Sequence, residues 1–211
     1  MRLRIRLASA IVAILAAFTF AAPVGAASPW IVFKEAGTSA FAFNGECTDD
    51  ANGITTCHSQ SINIFKGTSK HTGDPTFKGQ RVCYNESTDV SDRNGLIESH
   101  ASSGCVLGGK TLTIRNLSSI TLRPTAIDLT RVDCDPSTCT ESPGGTKTVE
   151  GTWTAFGPVI RQSSKFKFDD GTCRQSQADK SRSRQATFVG TISAVDAWIA
   201  KGSFTFKTNC P

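Results

Sequence analysis

Val149-Glu-Gly-Thr-Trp-Thr-Ala155 is the stretch of sequence that decides the fold class. Every second residue in it is apolar or small, with Trp153 at the centre, and polar residues fill the positions between. A period of two is typical of a β-strand with one face in the core and one in water. The stretch therefore predicts a strand of an antiparallel sheet, with Trp153 as a core residue.

The same alternation recurs along the chain and is separated by turn dipeptides such as Asn44-Gly45, Asn52-Gly53, Asn94-Gly95 and Asp170-Gly171. No stretch after the N-terminal region has a sustained helical period, and Ala194–Lys201 is interpreted as a single turn between strands. About ten to twelve short strands predict an all-β protein, an antiparallel β-sandwich or barrel. Residues predicted to share a side are Phe41, Phe43 and Gly45; Ile62 and Ile64; Leu112 and Ile114; Ile120 and Leu122; Ile127 and Leu129; Phe166 and Phe168; Phe188, Gly190 and Ile192; Phe204 and Phe206.

The N-terminus has the three parts of a secretory signal peptide. Arg2, Arg4 and Arg6 precede an uncharged apolar run from Leu7 to Phe20, and small residues follow up to Ala27. The alternative is a membrane anchor, but the run is shorter than the ~18–20 residues that a spanning helix needs. We expect residues 1–27 to be the signal and 28–211 to be a secreted all-β domain, extracellular or periplasmic, with no membrane span after signal removal.

Eight cysteines follow the predicted signal, and export would place them in an oxidising compartment. Zinc is the alternative, but it usually requires two close cysteine pairs, and only Cys134 and Cys139 are closely spaced. We predict four disulfides and no metal site. The predicted bridges are Cys47–Cys57, Cys83–Cys105, Cys134–Cys139 and Cys173–Cys210. Hairpin signals between the two cysteines favour the first and the third of them.

The other two bridges are chosen because they pair cysteines within the halves of a weak internal repeat, 40–107 and 127–210. Cysteines and strand patterns follow in the same order in both halves, although few residues are identical. Two alternatives stay open at this point. The similarity can be that of any disulfide-rich β protein, and a bridge from Cys105 to Cys134 would join the halves.

The charge of the chain gives little support to nucleic-acid binding. Of 23 basic residues, three lie in the predicted signal, so 20 basic face 18 acidic residues in the remainder. The segment 174–184 concentrates basic residues around a single acid, Asp179. We interpret this segment either as a solvated loop or as a contact for an anionic surface, polysaccharide or protein. The basic residues are Arg174, Lys180, Arg182 and Arg184.

Catalytic patterns are missing from the sequence. The three histidines lack metal-binding spacing, there is no G-x-S-x-G motif, and no cofactor motif occurs. Trp198, in a less regular segment, is the aromatic residue that we expect to be exposed for binding. The sequence favours a secreted, non-catalytic binding or structural β-domain of unknown ligand. The alternative is a carbohydrate-active or other hydrolase with paired carboxylates, which a cleft with two facing carboxylates, one of raised pKa, would favour.

Overall fold

The computed structural model describes residues 30–210, so the predicted signal and its cleavage site lie outside the described residues. The described residues form an all-β, antiparallel structure, and 79% of them lie in strands. The strands are β1 (Ile31–Asp49), β2 (Thr55–His71), β3 (Phe77–Asp92), β4 (Gly95–Leu107), β5 (Leu112–Arg115), β6 (Ser119–Cys134), β7 (Cys139–Ala155), β8 (Ile160–Asp169), β9 (Arg174–Gly190) and β10 (Asp196–Asn209).

The strand pairings return to their starting point. The order is β10-β1-β2-β3-β4-β6-β7-β9, and β9 also pairs with β10, so eight strands form a closed circuit of hydrogen-bonded neighbours. β5 pairs with β6, and β8 pairs with β9. β7 and β8 lie end to end along β9, because Gly151–Ala155 and Ile160–Asp169 pair with successive parts of that strand.

One face of the sheet encloses the apolar core, and we call it the core face; the opposite face is the outer face. Trp153 is fully buried, as predicted, its indole Nε1–H donates to the carbonyl oxygen of Phe41 (2.9 Å), and its ring packs against Phe188 with centroids 4.6 Å apart. The alternation of residues around Trp153 therefore identifies the buried side of β7 correctly. Other fully buried side chains are Ile62, Val82, Tyr84, Ile120, Val149 and Ile199.

In β1 and β8 the alternation was recognised, but the side assigned to the core is wrong. Ala40 and Ala42 are buried, while Phe41 and Phe43 lie on the outer face. In β8, Phe166 and Phe168 are 56% and 44% exposed. In β8 the core side carries Arg161 and Lys165, whereas in β1 it carries the small residues Ala40 and Ala42, so hydrophobicity alone does not identify the buried side.

Two further predictions about local structure are wrong. Residues 196–201 are not a turn, because β10 begins at Asp196, and Asn44-Gly45 lies inside β1. Residues 196–201 pair with β1 and, from Trp198 onwards, with β9, while Asn44 and Gly45 pair with Gln60 and Ser59 of β2, and these pairings hold both segments extended. The strands are also long, up to 19 residues in β1, rather than short. Turns do occur at Gly53, Gly95 and Gly171, each at positive φ.

Four disulfides are present, and they have the predicted connectivity: Cys47–Cys57, Cys83–Cys105, Cys134–Cys139 and Cys173–Cys210. The first three join residues that lie directly opposite each other on paired antiparallel strands, and the fourth joins the ends of β9 and β10. All four bridges lie within the proposed repeat halves. The duplication itself stays a prediction.

Candidate functional site

A concave surface continues the core face beyond the apolar core, along β8, β9, β10, β1 and β2. It encloses a cavity of about 880 Å³. We name it the cationic trough. Its charged lining consists of Lys66, Arg161, Lys180, Arg182 and Lys201.

Four of these cations lie in a single row across the strands, which we call the cation row. Lys201 on β10 is opposite Arg182 on β9, and Arg182 is opposite Arg161 on β8. In the other direction Lys201 is opposite Thr38, and Thr38 is opposite Lys66 on β2. Residues directly opposite each other on paired strands project from the same face of the sheet. The row therefore crosses five strands, a width of roughly 19 Å at ~4.8 Å per strand spacing.

The cationic trough contains no compensating negative charge. No Asp or Glu lines it, and among residues 30–210 none of its five cations forms an ion pair. Like charges directly opposite each other on neighbouring strands repel and destabilise the sheet. Lys201, Arg182 and Arg161 make two such contacts in succession. The empty trough is thus an electrostatically unfavourable arrangement that an anion would relieve.

A row of glycines crosses the sheet next to the cation row. Gly79, Gly67, Gly37 and Gly202 lie opposite one another on β3, β2, β1 and β10. A Cβ atom at Gly37 would lie 2.5 Å from the carbonyl oxygen of Lys66 and 2.7 Å from the ring of Phe65. The strands are therefore packed too closely there for any side chain, and glycine permits the curvature that makes the trough concave.

The neutral lining of the cationic trough is small and polar. Thr38, Ser163 and Ser203 contribute to it, and no aromatic residue does. Hydroxyl groups can donate to anionic or sugar oxygens. Without aromatic rings the trough offers no stacking platform for nucleobases.

Of the binding residues predicted from the sequence, Lys180 and Arg182 lie in the cationic trough. Arg174 is paired instead with Asp169 at the β8–β9 turn (Nε to Oδ2, 3.0 Å). Arg184 donates from Nε and Nη2 to the carbonyl oxygen of Gly157 (3.1 and 2.9 Å), which stabilises the break between β7 and β8. The structure thus separates a segment that looked uniform in sequence into cations that line the trough and cations that are held by other residues of the protein.

Trp198, the aromatic residue predicted to be exposed, is half-buried on the outer face opposite Phe41. Its Nε1–H donates to Asp196 (2.8 Å). It lies away from the cationic trough.

Sequence reasoning missed Lys66, Arg161 and Lys201, because strand register brings them to β9 from distant parts of the chain. One local signal was available. Lys-Gly occurs within strands at 66–67, 78–79 and 201–202, and the glycine of each pair belongs to the glycine row. A lysine beside a glycine therefore marks the strands that curve around the trough.

At the opposite end of the core face, beyond the apolar core, lies a second concave surface, which we call the polar trough. It encloses a cavity of about 350 Å³, and the residues that line it include Glu46, His58, Glu86, Thr88, His100 and Arg131. His58 Nδ1 is hydrogen-bonded to the hydroxyl of Thr88 (2.9 Å). His100 Nδ1–H donates to Asp133 (2.5 Å), whose two carboxylate oxygens also share a bifurcated hydrogen bond from the Nε–H of Arg131.

Carboxylates in and beside the polar trough are stabilised in the ionised form or neutralised by neighbours. Hydrogen bonds from Arg131, and then from His100, lower the pKa of Asp133 to about 2. Glu86 accepts a hydrogen bond from the hydroxyl of Tyr84 (2.6 Å), and burial, followed by this bond, raises the pKa of Tyr84. Asp133 is therefore held ionised and is unsuited to act as a general acid.

A shallow groove of about 260 Å³ lies on the outer face, behind the cationic trough, and we call it the outer groove. Two carboxylates, Glu35 and Asp179, line it, with Phe204 on the strand between them. Burial raises the pKa of Glu35, and the positive charge of Arg81 (3.7 Å) partly opposes this. Glu35 is thus a carboxyl group of raised pKa, but the two carboxylates lie side by side on one face of the sheet instead of facing each other across a cleft.

Within residues 30–210 no group of three or more His, Cys, Asp or Glu residues is arranged to hold a metal ion. The same residues contain no helix long and apolar enough to cross a membrane.

Comparison with known proteins gives no assignment. No family model and no curated protein sequence matches the chain. Among solved structures, it is similar to the enduracididine biosynthesis enzyme MppR in complex with pyruvate, at 8% identity and a TM-score of 0.23, over 86% of this chain and 88% of that one. An acetoacetate decarboxylase-like enzyme from Sphingomonas wittichii RW1 has 6% identity and a TM-score of 0.24, over 87% and 92% of the two chains. Similarities this weak support no argument about function.

Proposed function

We propose that this chain is a secreted, non-catalytic protein that binds an anionic ligand in the cationic trough. The observation that carries the proposal is the succession Lys201, Arg182 and Arg161, three cations directly opposite one another on adjacent strands without a carboxylate between them. The four disulfides are consistent with an oxidising, extracytoplasmic compartment.

An anion in the trough would replace repulsion by attraction. Each of the five cations is exposed to solvent, so none needs to leave a buried partner before it contacts a ligand. Exposed cations attract anions over about a Debye length, ~8 Å at physiological salt, so closely spaced cations reinforce one another. The binding energy is therefore expected to be electrostatic and to weaken as salt is added.

Calorimetric titration with a sulfated polysaccharide and with an uncharged polysaccharide of similar length tests this proposal. We expect the sulfated polymer to bind and the uncharged one not to bind. The double variant Arg182→Gln/Lys201→Gln should bind about thirtyfold more weakly, since a cation beside an anionic surface contributes roughly 1 kcal/mol.

Arg93→Gln is the matched control, because Arg93 is an exposed cation in the β3–β4 turn, at the other end of β3 from the trough. It should bind the sulfated polymer as tightly as the wild type. Equal binding by the double variant and the wild type would contradict the proposal.

A hydrolase is the second candidate, and the raised pKa of Glu35 in the outer groove is the observation that favours it. Glu35 would protonate the leaving oxygen and Asp179 would accept a proton from the attacking water. Release of reducing ends from a polysaccharide by the wild type, abolished in both Glu35→Gln and Asp179→Asn, would support this candidate. Equal release by the two variants and the wild type would exclude these residues.

A further inference from the structure

The shape of the cation row indicates which class of anion the cationic trough accepts. The row crosses the strands instead of following one of them. Lys66, Lys201, Arg182 and Arg161 lie on it, while Lys180 lies one row away, opposite Ser203. Measured along the concave sheet, the row distributes its charges over roughly 19 Å, a longer path than a compact anion covers.

The two ends of the row differ. Beyond Lys66 the next residue across the sheet is Gln80, which is 3% exposed and donates from Nε2 to the hydroxyl of Thr111 (2.6 Å). This end is therefore closed by a fixed, neutral side chain.

At the other end, Arg161 lies on β8, which pairs with β9 on one side and, within residues 30–210, with no strand on the other. All ten residues of β8 are exposed. A ligand that lies along the row can thus continue past this edge into solvent without a steric limit.

The kind of contact also favours an extended ligand. The trough contains no helix end that could direct backbone N–H groups at a single phosphate. Its charges are borne by long, flexible side chains, with the hydroxyl groups of Thr38 and Ser163 close by. Such a surface matches a chain with regularly repeated anionic groups and hydroxyl-rich units between them.

The geometry points to a linear acidic polysaccharide, carrying sulfate or carboxylate groups, that lies across the strands along the cation row with one end against Gln80 and the other extending past β8. This inference rests on the proposed function, because it specifies the ligand of the same trough. It excludes single-stranded nucleic acid as the preferred ligand, since the trough has no aromatic residue for base stacking.

The experiment is a titration of the wild type with heparin-derived oligosaccharides from the disaccharide to the decasaccharide, with oligogalacturonates of the same lengths as the carboxylate series. Affinity should rise with each added anionic unit until the ligand spans the row, roughly 19 Å, and then level off. Arg161→Gln should move the plateau to shorter oligosaccharides, because it removes the outermost charge of the row. Arg93→Gln, in the β3–β4 turn and outside the trough, should leave the plateau length unchanged.

Two further anions complete the test, one compact and the other a nucleic acid. Inorganic tripolyphosphate should bind much more weakly than the longest oligosaccharides, and single-stranded DNA of matched charge should bind more weakly than the sulfated octasaccharide. If tripolyphosphate binds as tightly as the long oligosaccharides, the inference of a linear ligand is wrong, but the proposal that the trough binds an anion is unaffected. If DNA binds most tightly, the polysaccharide assignment is overturned. If no anion binds in a salt-dependent way, the proposed function fails as well.

Discussion

The two troughs lie on the same face of the same sheet, but they differ in whether their charged side chains have partners of opposite charge. In the polar trough charged groups occur with partners, as in His100, Asp133 and Arg131, which share hydrogen bonds at 2.5–2.9 Å. In the cationic trough Lys201, Arg182 and Arg161 face only one another. The difference teaches that the first network is complete within the protein, whereas the second requires a counter-charge from outside.

The covalent framework differs between the two ends as well. Cys47–Cys57 is next in register to Glu46 and His58 of the polar trough, and Cys134–Cys139 is adjacent to Asp133. At the cationic end a single bridge, Cys173–Cys210, joins β9 and β10 just beyond their paired residues. The polar trough is therefore fixed at two of its strand pairs, while the cationic trough is fixed only at its tip.

The largest effect is expected from Trp153→Ala, because both troughs are extensions of the core that Trp153 fills. Loss of a fully buried tryptophan should lower the free energy of unfolding by roughly 3–5 kcal/mol. Denaturant unfolding measures this. Trp198→Ala is the control, and it should cost much less, because Trp198 is half-buried on the outer face. A reversed order would show that the core is assigned to the wrong face.

A smaller effect, which is largest above the ordinary pKa of the carboxyl group and disappears at acid pH, is expected from Asp133→Asn in the polar trough. The pKa of Asp133 lies below its ordinary value of 3.8, at about 2, so the folded state favours the ionised form. Its stabilising contribution is present above the ordinary value and is lost as the pH falls towards about 2. Unfolding measured across this range should show a steeper loss of stability in the wild type than in Asp133→Asn. Parallel curves would mean that the hydrogen bonds from Arg131 and His100 do not stabilise the ionised form of Asp133.

The smallest expected effect is a change in the free energy of unfolding that has opposite signs in the two troughs. Arg182→Gln removes two like-charge contacts, with Lys201 and Arg161, and should raise the free energy of unfolding of the unliganded protein by roughly 0.2–1 kcal/mol. The same substitution should weaken anion binding. Arg131→Gln in the polar trough removes a partner of Asp133 and should lower stability instead. If Arg182→Gln also lowers stability, the cation row is not repulsive.

The sequence was sufficient to predict the all-β class, the buried Trp153 and the Cys47–Cys57 and Cys134–Cys139 bridges, because each depends on short-range patterns, while the other two bridges were predicted from the internal repeat. Alternation reports a strand, and Cys47 and Cys57 flank the Asn52-Gly53 turn that brings them together. Face assignment failed in β8, where Lys165-Phe166-Lys167-Phe168 alternates as a core strand would, but Phe166 and Phe168 are exposed. That strand lies beyond the core, where no apolar layer is present to cover its phenylalanines.

The site was predictable only in part for a related reason. Lys180 and Arg182 lie in one basic segment that composition identifies. Lys66, Arg161 and Lys201 lie on three other strands, and only the register of long-range pairings places them in the same row. Composition can therefore indicate a preference for anions. It cannot reveal the row of cations across five strands from which the class of ligand is inferred.

The salt dependence of binding tests the central claim most directly. The affinity of the wild type for a long sulfated oligosaccharide should fall on the order of fiftyfold between about 50 and about 200 mM salt, if the four cations of the row displace counterions as on single-stranded nucleic acid. Neutralising Arg161, Arg182 or Lys201 singly to Gln should each reduce the slope of log affinity against log salt by roughly one, while Arg93→Gln should leave it unchanged. A slope that is the same in all four variants and in the wild type would contradict binding in the cationic trough.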